Sequence, residues 1–231
     1  MYMGKTFLAI IPARSGSKGI YKKNIIEVNG KPLIDYTIEE AKKSIYLDKI
    51  IISTDSEEIA KIAENCGAEV PFLRPEELAR DESKTIDVLV HLVDNLKIKG
   101  ISYDYLVLLQ PTQPLRKSWH IDESIVKIIE ENAENLLSIS SVREHPILFR
   151  TVDKNDRVHS LLNMNSTVRR QDFPEFFKVN GAIYINKLNE MFNKNVSLND
   201  NTLCYIMDKK YDIDIDDPID LEIFKILLKI Y

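Results

Sequence analysis

The chain has 231 residues, 44% of them hydrophobic and 29% charged, which suits a single folded domain with a substantial core and excludes a disordered segment. Lysine and arginine number 31 against 36 acids, a net charge of −5. That balance excludes the broad basic surface of a nucleic-acid binder, so local basic clusters point to a small anionic ligand.

No run approaches the ~20 apolar residues of a membrane span. The apolar run in the opening "MYMGKTFLAIIPAR" is too short for a signal peptide and is cut at once by Pro12 and Arg14, so it predicts a first strand over 7–11. Residues 31–44 follow as a helix, with Leu33, Tyr36, Ile38 and Ala41 near one face and Pro32 in the first turn. "KIIIS" (49–53) predicts a strand buried on both faces, and 54–67 a helix with capping residues at its start and Gly67 at its end. A short strand over 70–73, a helix over 85–97 and a strand over 105–110 come next. The helix over 120–133 carries Ile121, Ile125, Ile128 and Ile129 as its stripe.

This alternation predicts an α/β fold, a three-layer sandwich on a mostly parallel, Rossmann-like sheet, in one domain over 1–231. Residues 138–178 lack helical periodicity and predict an insertion with its own small sheet or arm. The sheet resumes at "GAIYI" (181–185), "CYIM" (204–207) and "DID" (212–214), and a helix from Pro218 closes the chain. Cys66 and Cys204 stand far apart with no CxxC, which predicts reduced thiols in a cytoplasmic protein.

Four places carry chemistry. In "AIIPARSGSKGIYKKN" (9–24), Arg14, Lys18, Lys22 and Lys23 surround Ser15, Gly16, Ser17 and Gly19 just past the first strand. Ligands of open α/β sheets gather at the carboxyl ends of strands. Small residues let backbone N–H groups turn inward, and the cations add charge, so the loop reads as a polyphosphate cradle; the alternative is a solvated basic loop. "GKT" (4–6) lacks the upstream glycine of a Walker A loop, and "GSKG" (16–19) lacks the GxGxxG spacing, so neither a P-loop kinase nor a Rossmann dehydrogenase is supported.

In "LVLLQPTQPLR" (106–116), two prolines fix the loop and hold the Gln110 amide, suited to reading sugar hydroxyls or an acyl group; the alternative is a rigid turn. In "DIDIDDPID" (212–220), Asp214 and Asp216 are two apart and project to one face of a strand, which Asp212 could share. Carboxylates that close call for a cation, and Mg²⁺ is the natural one, unless the acids only cap the helix that follows. The fourth place is the insertion with Arg143, Arg169 and Arg170, leading into "NGAIYI". An arginine there could hold an acidic sugar or lie on a subunit surface. His91, His120, His145 and His159 stand singly and support neither a Ser–His–Asp nor a zinc enzyme.

These pieces, in this order, resemble the acylneuraminate cytidylyltransferases, the CMP-sialic acid synthetases, and equally their relatives acting on legionaminic or pseudaminic acid. The likeness rests on "IPARSGSKGIYKKN", "ISTDSEEIAKIAENCGAEVPFLRPEELARDESKT", "LLQPTQPLR", "RRQDFPEFFKVNGAIYI" and "DIDIDDPIDL", which span nearly the whole chain. Ser15 stands where many members carry glycine, Tyr21 where proline is usual and Gln113 where serine is usual.

The resemblance implies that Arg14, Lys23 and Asn24 contact the phosphates and ribose of CTP, with Lys18 beside them. It implies Arg74 on the cytosine, Ser83 and Thr85 lining the nucleotide pocket, and Gln110 facing the sugar. Arg170 would hold the sugar carboxylate or steady phosphate, with Tyr184, Arg143 and Asn180 in the substrate-binding set, and Asp214 and Asp216 would bind Mg²⁺. It implies a homodimer formed through 138–178. The reaction implied is attack of a nonulosonic acid's anomeric hydroxyl on the α-phosphorus of CTP, giving the CMP-sugar and pyrophosphate. A 3-deoxy-manno-octulosonate cytidylyltransferase is the nearer alternative; a nucleotide-sugar glycosyltransferase and a non-catalytic nucleotide-binding regulator are more distant.

Overall fold

Strand β1 (Phe7–Pro12) lies inside the sheet, and Phe7 to Ile11 are each at most 1% exposed. A strand covered on both sides needs an unbroken apolar run, which "FLAII" supplies. Phe7, Ala9 and Ile11 face one helical layer, Leu8 and Ile10 the other. The computed structural model describes residues 1–163, 167, 169 and 172–230.

After β1 come a short hairpin of β2 (Glu27–Val28) and β3 (Lys31–Pro32), then α1 (Leu33–Lys43), β4 (Lys49–Ser53) and α2 (Glu57–Asn65). Helix α3 (Thr85–Ile98), β5 (Tyr105–Leu108), α4 (Ser118–Glu130) and β6 (Asn135–Ser141) follow. A hairpin of β7 (Arg150–Val152) and β8 (Val158–Ser160) precedes β9 (Phe177–Lys187), β10 (Leu203–Met207) and α5 (Pro218–Leu227).

The six-stranded sheet has the order β10-β6-β9-β5-β1-β4. Pairs β1–β4, β1–β5 and β10–β6 are parallel, while β9 runs antiparallel to both β5 and β6, so five strands point one way and β9 against them. Helices α1, α2 and α4 pack one face and α3 the other, the three layers expected from the alternation. Each fully buried Leu, Ile or Phe contributes about 1.5–3 kcal/mol relative to exposure. A third cluster joins Leu221 and Phe224 of α5 to Ile20, Ile213 and Ile215, seating the C-terminal segment under the loop after β1.

Three expectations change. Residues 70–73 form no strand; the chain makes only an isolated bridge between Ile51 and Glu69 before turning to place Arg74. Residues 138–141, read from the sequence as part of the insertion, close β6 in the main sheet, and the hairpin of β7 and β8 lies beyond them. Residues 212–216 are extended but pair with no strand: Ile213 and Ile215 turn inward, Asp214 and Asp216 outward, and the Ile215 amide donates to the Thr112 carbonyl at 2.9 Å. The period of two survives without a ladder because α5 and the first loop bury the isoleucines.

Candidate active site

The carboxyl ends of β1 and β5 open into a cleft of about 540 Å³. Its floor starts at Pro12, and Arg14, Lys18, Lys23 and Asn24 come from the loop after β1. Arg74, Ser83 and Thr85 form another wall, and Gln110, Asp214 and Asp216 close the far side. Residues from both ends of the chain thus meet at one concavity.

The loop after β1 is braced through its small and polar residues. The Ser15 amide donates to Asp55 at 2.9 Å and its hydroxyl to the other carboxylate oxygen. Burial pushes the Asp55 carboxyl up, but the two bonds from Ser15 outweigh it and hold the acid below the usual carboxylate range. Asn24, 6% exposed, donates to the Arg14 carbonyl at 2.9 Å. Lys22, in the left-handed conformation at φ 50°, turns outward to Glu58 at 2.6 Å and leaves the cleft. A Cβ on Gly19 would stand 2.0 Å from the Asp216 carbonyl oxygen, so only glycine lets the loop touch the acidic segment there.

The cations face acids of the protein. Arg14 Nη2 lies 2.8 Å and Lys18 Nζ 3.0 Å from the two oxygens of Asp81, a residue the sequence reading missed. Those cations, first the Lys18 ammonium, hold the Asp81 carboxyl below its usual range against the upward pull of burial. Lys23 Nζ bonds the Ile215 carbonyl at 2.9 Å and Asp216 at 3.1 Å. Arg74 is 7% exposed, its amide donates to the Thr54 carbonyl at 2.7 Å, and its Nη2 lies 3.7 Å from Asp55. Its Nε and Nη2 are buried with no hydrogen-bond partner. Burial lowers the guanidinium's hold on its proton, and Asp55 opposes that.

The acids divide as their surroundings dictate. Asp217 caps α5, accepting from the Ile219 amide at 2.7 Å and the Asp220 amide at 3.0 Å, while Asp220 accepts from the amides of Asp216 and Asp217. Asp212 does not share a face with the pair: it is buried, accepting from Ser140 and pairing with Lys178 at 3.0 Å. That leaves Asp214 and Asp216 free of capping duty. Asp214 opens into the cleft, where loss of bulk solvent raises its carboxyl; Thr112 and Lys23 oppose that shift and the Asp216 charge adds to it. Among the described residues no cluster of three or more His, Cys, Asp or Glu side chains could hold a metal. Asp214 and Asp216, two neighbouring carboxylates that share the cleft, would suit Mg²⁺, which one or two protein carboxylates hold when substrate phosphates complete its shell.

A second cavity of about 390 Å³ adjoins the first across Gln110 and Asp214, with Gln113, Lys178, Gly181, Tyr184 and Asn199 in its wall. Its shape comes from a bulge where β6 and β9 shift register between Leu137 and Ile139, with Gly181 at φ 75°. Asn180 braces this bulge: its amide oxygen accepts from Ser138 at 2.6 Å and the Ala182 amide at 3.1 Å. Asn180 therefore lines the cavity as a structural residue, its amide largely occupied within the protein. Tyr184 donates to Asn199 at 3.0 Å, and burial, then the Asp214 charge, raises its hydroxyl. Arg116 is buried beneath and donates to the carbonyls of Gln110 at 3.3 Å and Ala182 at 2.8 Å, tying the β5 loop to β9.

Arg143 is exposed after β6 and lines neither cavity, and Arg170 lies outside the described residues. His120 is buried and pulled down to about 4, chiefly by burial, so it is neutral and structural. Cys66 and Cys204 are half-buried and unpaired with each other; burial, then Asp35, pushes the Cys66 thiol up to about 11.

A family profile described as cytidylyltransferase matches residues 8–224. The chain belongs to the cytidylyltransferase family. It is 36% identical over 90% of its length to an N-acylneuraminate cytidylyltransferase of Streptococcus agalactiae, and spans about half of that protein, 50%. It is 34% identical to a CMP-N,N'-diacetyllegionaminic acid synthase of Legionella pneumophila, with 96% of each chain covered. A solved CMP:2-keto-3-deoxy-manno-octonic acid synthetase complexed with CTP superposes with a TM-score of 0.71 at 16% identity, covering 97% of this chain and 98% of that one; the likeness is one of fold. No helix among the described residues is long and apolar enough to cross a membrane.

Proposed function

We propose that this cytidylyltransferase activates a nonulosonic acid with CTP, releasing pyrophosphate and forming the CMP-sugar. The observation that carries the reading is the cleft itself, where three cations of the first loop stand opposite Asp214 and Asp216 at the carboxyl end of the sheet. Membership of the family and full-length similarity to a legionaminic acid synthase support the acceptor class.

In this reading Arg14, Lys18 and Lys23 take the triphosphate, and Asn24 fixes the loop through the Arg14 carbonyl. The unpartnered Arg74 donors meet the acceptor edge of the cytosine, and Ser83 and Thr85 flank it. The acid lies in the cavity beyond Gln110, its hydroxyl directed at the α-phosphorus. Attack there forms the new P–O bond as the bond to pyrophosphate breaks, and the hydroxyl proton is released to solvent. Arg14 and Lys18 stabilise the charge that gathers on the leaving group. Asp214 and Asp216 would hold Mg²⁺, which supplies charge neutralisation at the phosphate oxygens. Bound in one frame, the reactants need no further encounter, which lowers the barrier by alignment alone.

A homodimer is part of this proposal. Every strand residue of the hairpin of β7 and β8 is exposed, including Val152 and Val158, with Leu148, Phe149 and Leu161 also solvent-facing beside it. Apolar surface gathered on one projecting arm suits a second copy. Two cysteines without a disulfide fit a reducing, cytoplasmic setting.

The test is pyrophosphate release from CTP and Mg²⁺ across N-acetylneuraminate, legionaminate and pseudaminate. Release with at least one acid, and an Arg14→Ala loss of at least about tenfold in turnover, is the expected result. Absence of release with all three would overturn the reading.

A further inference from the structure

The second cavity holds an amide with nothing to bind. Gln113 stands between Pro111 and Pro114, its backbone amide donates to the Gln110 carbonyl at 3.2 Å, and its own carbonyl accepts from the Arg116 amide at 3.4 Å. The turn is thus set by two prolines and by Arg116 on the Gln110 carbonyl, so the side chain has little freedom to swing elsewhere. Gln113 is 1% exposed, and both its Oε1 and its Nε2 are buried without a hydrogen-bond partner. Buried polar groups left empty are rare and costly, and a native protein retains one where a ligand completes it.

The surroundings say what kind of ligand. A Cβ on Gly181 would stand 2.8 Å from Gln110 Oε1 and 4.0 Å from Gln113 Nε2, so the two glutamine heads converge over a bare Cα that leaves them room. The geometry points to Gln113 as a specificity-determining residue for the acceptor acid, its amide pairing with an acylamino group of that acid. Nε2 donates to the acyl carbonyl, which a trans acylamino group extends beyond the reach of a hydroxyl on the same ring carbon; the N–H of that group points the opposite way, so the contact is one bond. This rests on the proposed acid-activating reaction and adds the group by which acceptors are told apart.

The experiment measures pyrophosphate release with a matched pair of nonulosonic acids, bearing an acylamino group or a hydroxyl at the same ring carbon. It compares wild type with Gln113→Met, which keeps length without polarity, and Gln113→Ser, which shortens the reach. Wild type is expected to prefer the acylamino acid by about tenfold or more in kcat/KM. Both variants should raise KM for that acid by about tenfold, shrink the preference, and leave KM for CTP within about twofold, a split that a general packing defect would not produce. An unchanged acylamino KM and preference in either folded variant overturns the assignment. Should wild type turn over neither acid, the reaction proposed above fails. Calorimetric titration of the acylamino acid into wild type and variant then decides Gln113 by itself, equal affinities counting against it.

Discussion

Lys23 and Asp216 form an ion pair of 3.1 Å across 193 positions of chain, and the same ammonium bonds the Ile215 carbonyl at 2.9 Å. The pair joins the two halves of the candidate site, the cationic loop after β1 and the acidic segment before α5. Replacing Lys23 with Met removes a charge from the triphosphate's surroundings and unties the loop from that segment. Loss of one such contact typically costs about 10²–10³ in rate, so turnover should fall by that order, with a rise in KM for CTP. Steady-state kinetics with varied CTP checks this, and a variant within twofold of wild type would contradict the placement.

Asp81 occupies both Arg14 and Lys18 at 2.8 and 3.0 Å. In the proposed reaction, triphosphate must displace this carboxylate before it can use those cations. The pairs are solvent-exposed, where such contacts are weak and readily exchanged. Asp81→Asn should therefore lower KM for CTP by about two- to fivefold at low salt, with the gain fading as salt screens both states. A higher KM would mean that Asp81 shapes the loop productively instead of competing with substrate.

The raised carboxyl of Asp214 fixes a direction for stability. A group whose folded pKa exceeds its unfolded one binds its proton more tightly in the folded state, so its stabilising contribution is full below the unfolded pKa and is lost as pH rises through the folded one. At neutral pH the ionised acid beside Asp216 is a liability. Asp214→Asn should then melt higher than wild type at neutral pH, and the difference should shrink as pH falls into the carboxylate range. The same variant should need more Mg²⁺ for turnover. Thermal melts across pH and a Mg²⁺ titration check the two halves; a lower melting point at neutral pH would show that Asp214 is a structural acid.

Much of this was legible in the sequence because local signals and tertiary demand agreed. "FLAII", "KIIIS" and "YLVLLQ" read as strands since both faces of the strands they hold are covered, the last ending at Leu108 instead of residue 110, and Ser56 and Gly67 bound α2 by chemistry that needs no partner. Arg14, Lys18, Lys23 and the Asp214–Asp216 pair could be nominated because charge beside small residues or beside like charge has few structural uses, whereas Arg74 was nominated only through the family resemblance. What stayed hidden depends on distant segments. "VPFL" has strand composition, yet none of its residues joins a ladder, and only Glu69 before it bridges to β4. The β9 reversal follows from sheet topology, which no residue of "GAIYI" encodes. Asp55 looked like a helix-start residue and Asp81 like one acid among several, because their partners Ser15, Arg14 and Lys18 lie 40 or more positions away. Asn180 is the converse case, its polarity absorbed by a bulge that the sequence does not announce.

Gly19 gives the sharpest steric test of how the two halves meet. It passes so close to the Asp216 carbonyl that an added methyl would lie 2.0 Å from that oxygen, a backbone atom that cannot swing aside as a side-chain tip would. Gly19→Ala must push the loop and the acidic segment apart, lengthening the Lys23–Asp216 contact and displacing Asp216 from the pocket. Overpacking of this kind typically costs about 1–3 kcal/mol. The variant should melt lower, lose CTP affinity by about tenfold or more, and require more Mg²⁺. Gly16→Ala is the control, because a Cβ there meets nothing within 4 Å. Melts and CTP titrations on the two alanine variants separate the outcomes, since equal behaviour at positions 16 and 19 would mean that the loop does not bear on Asp216 in solution.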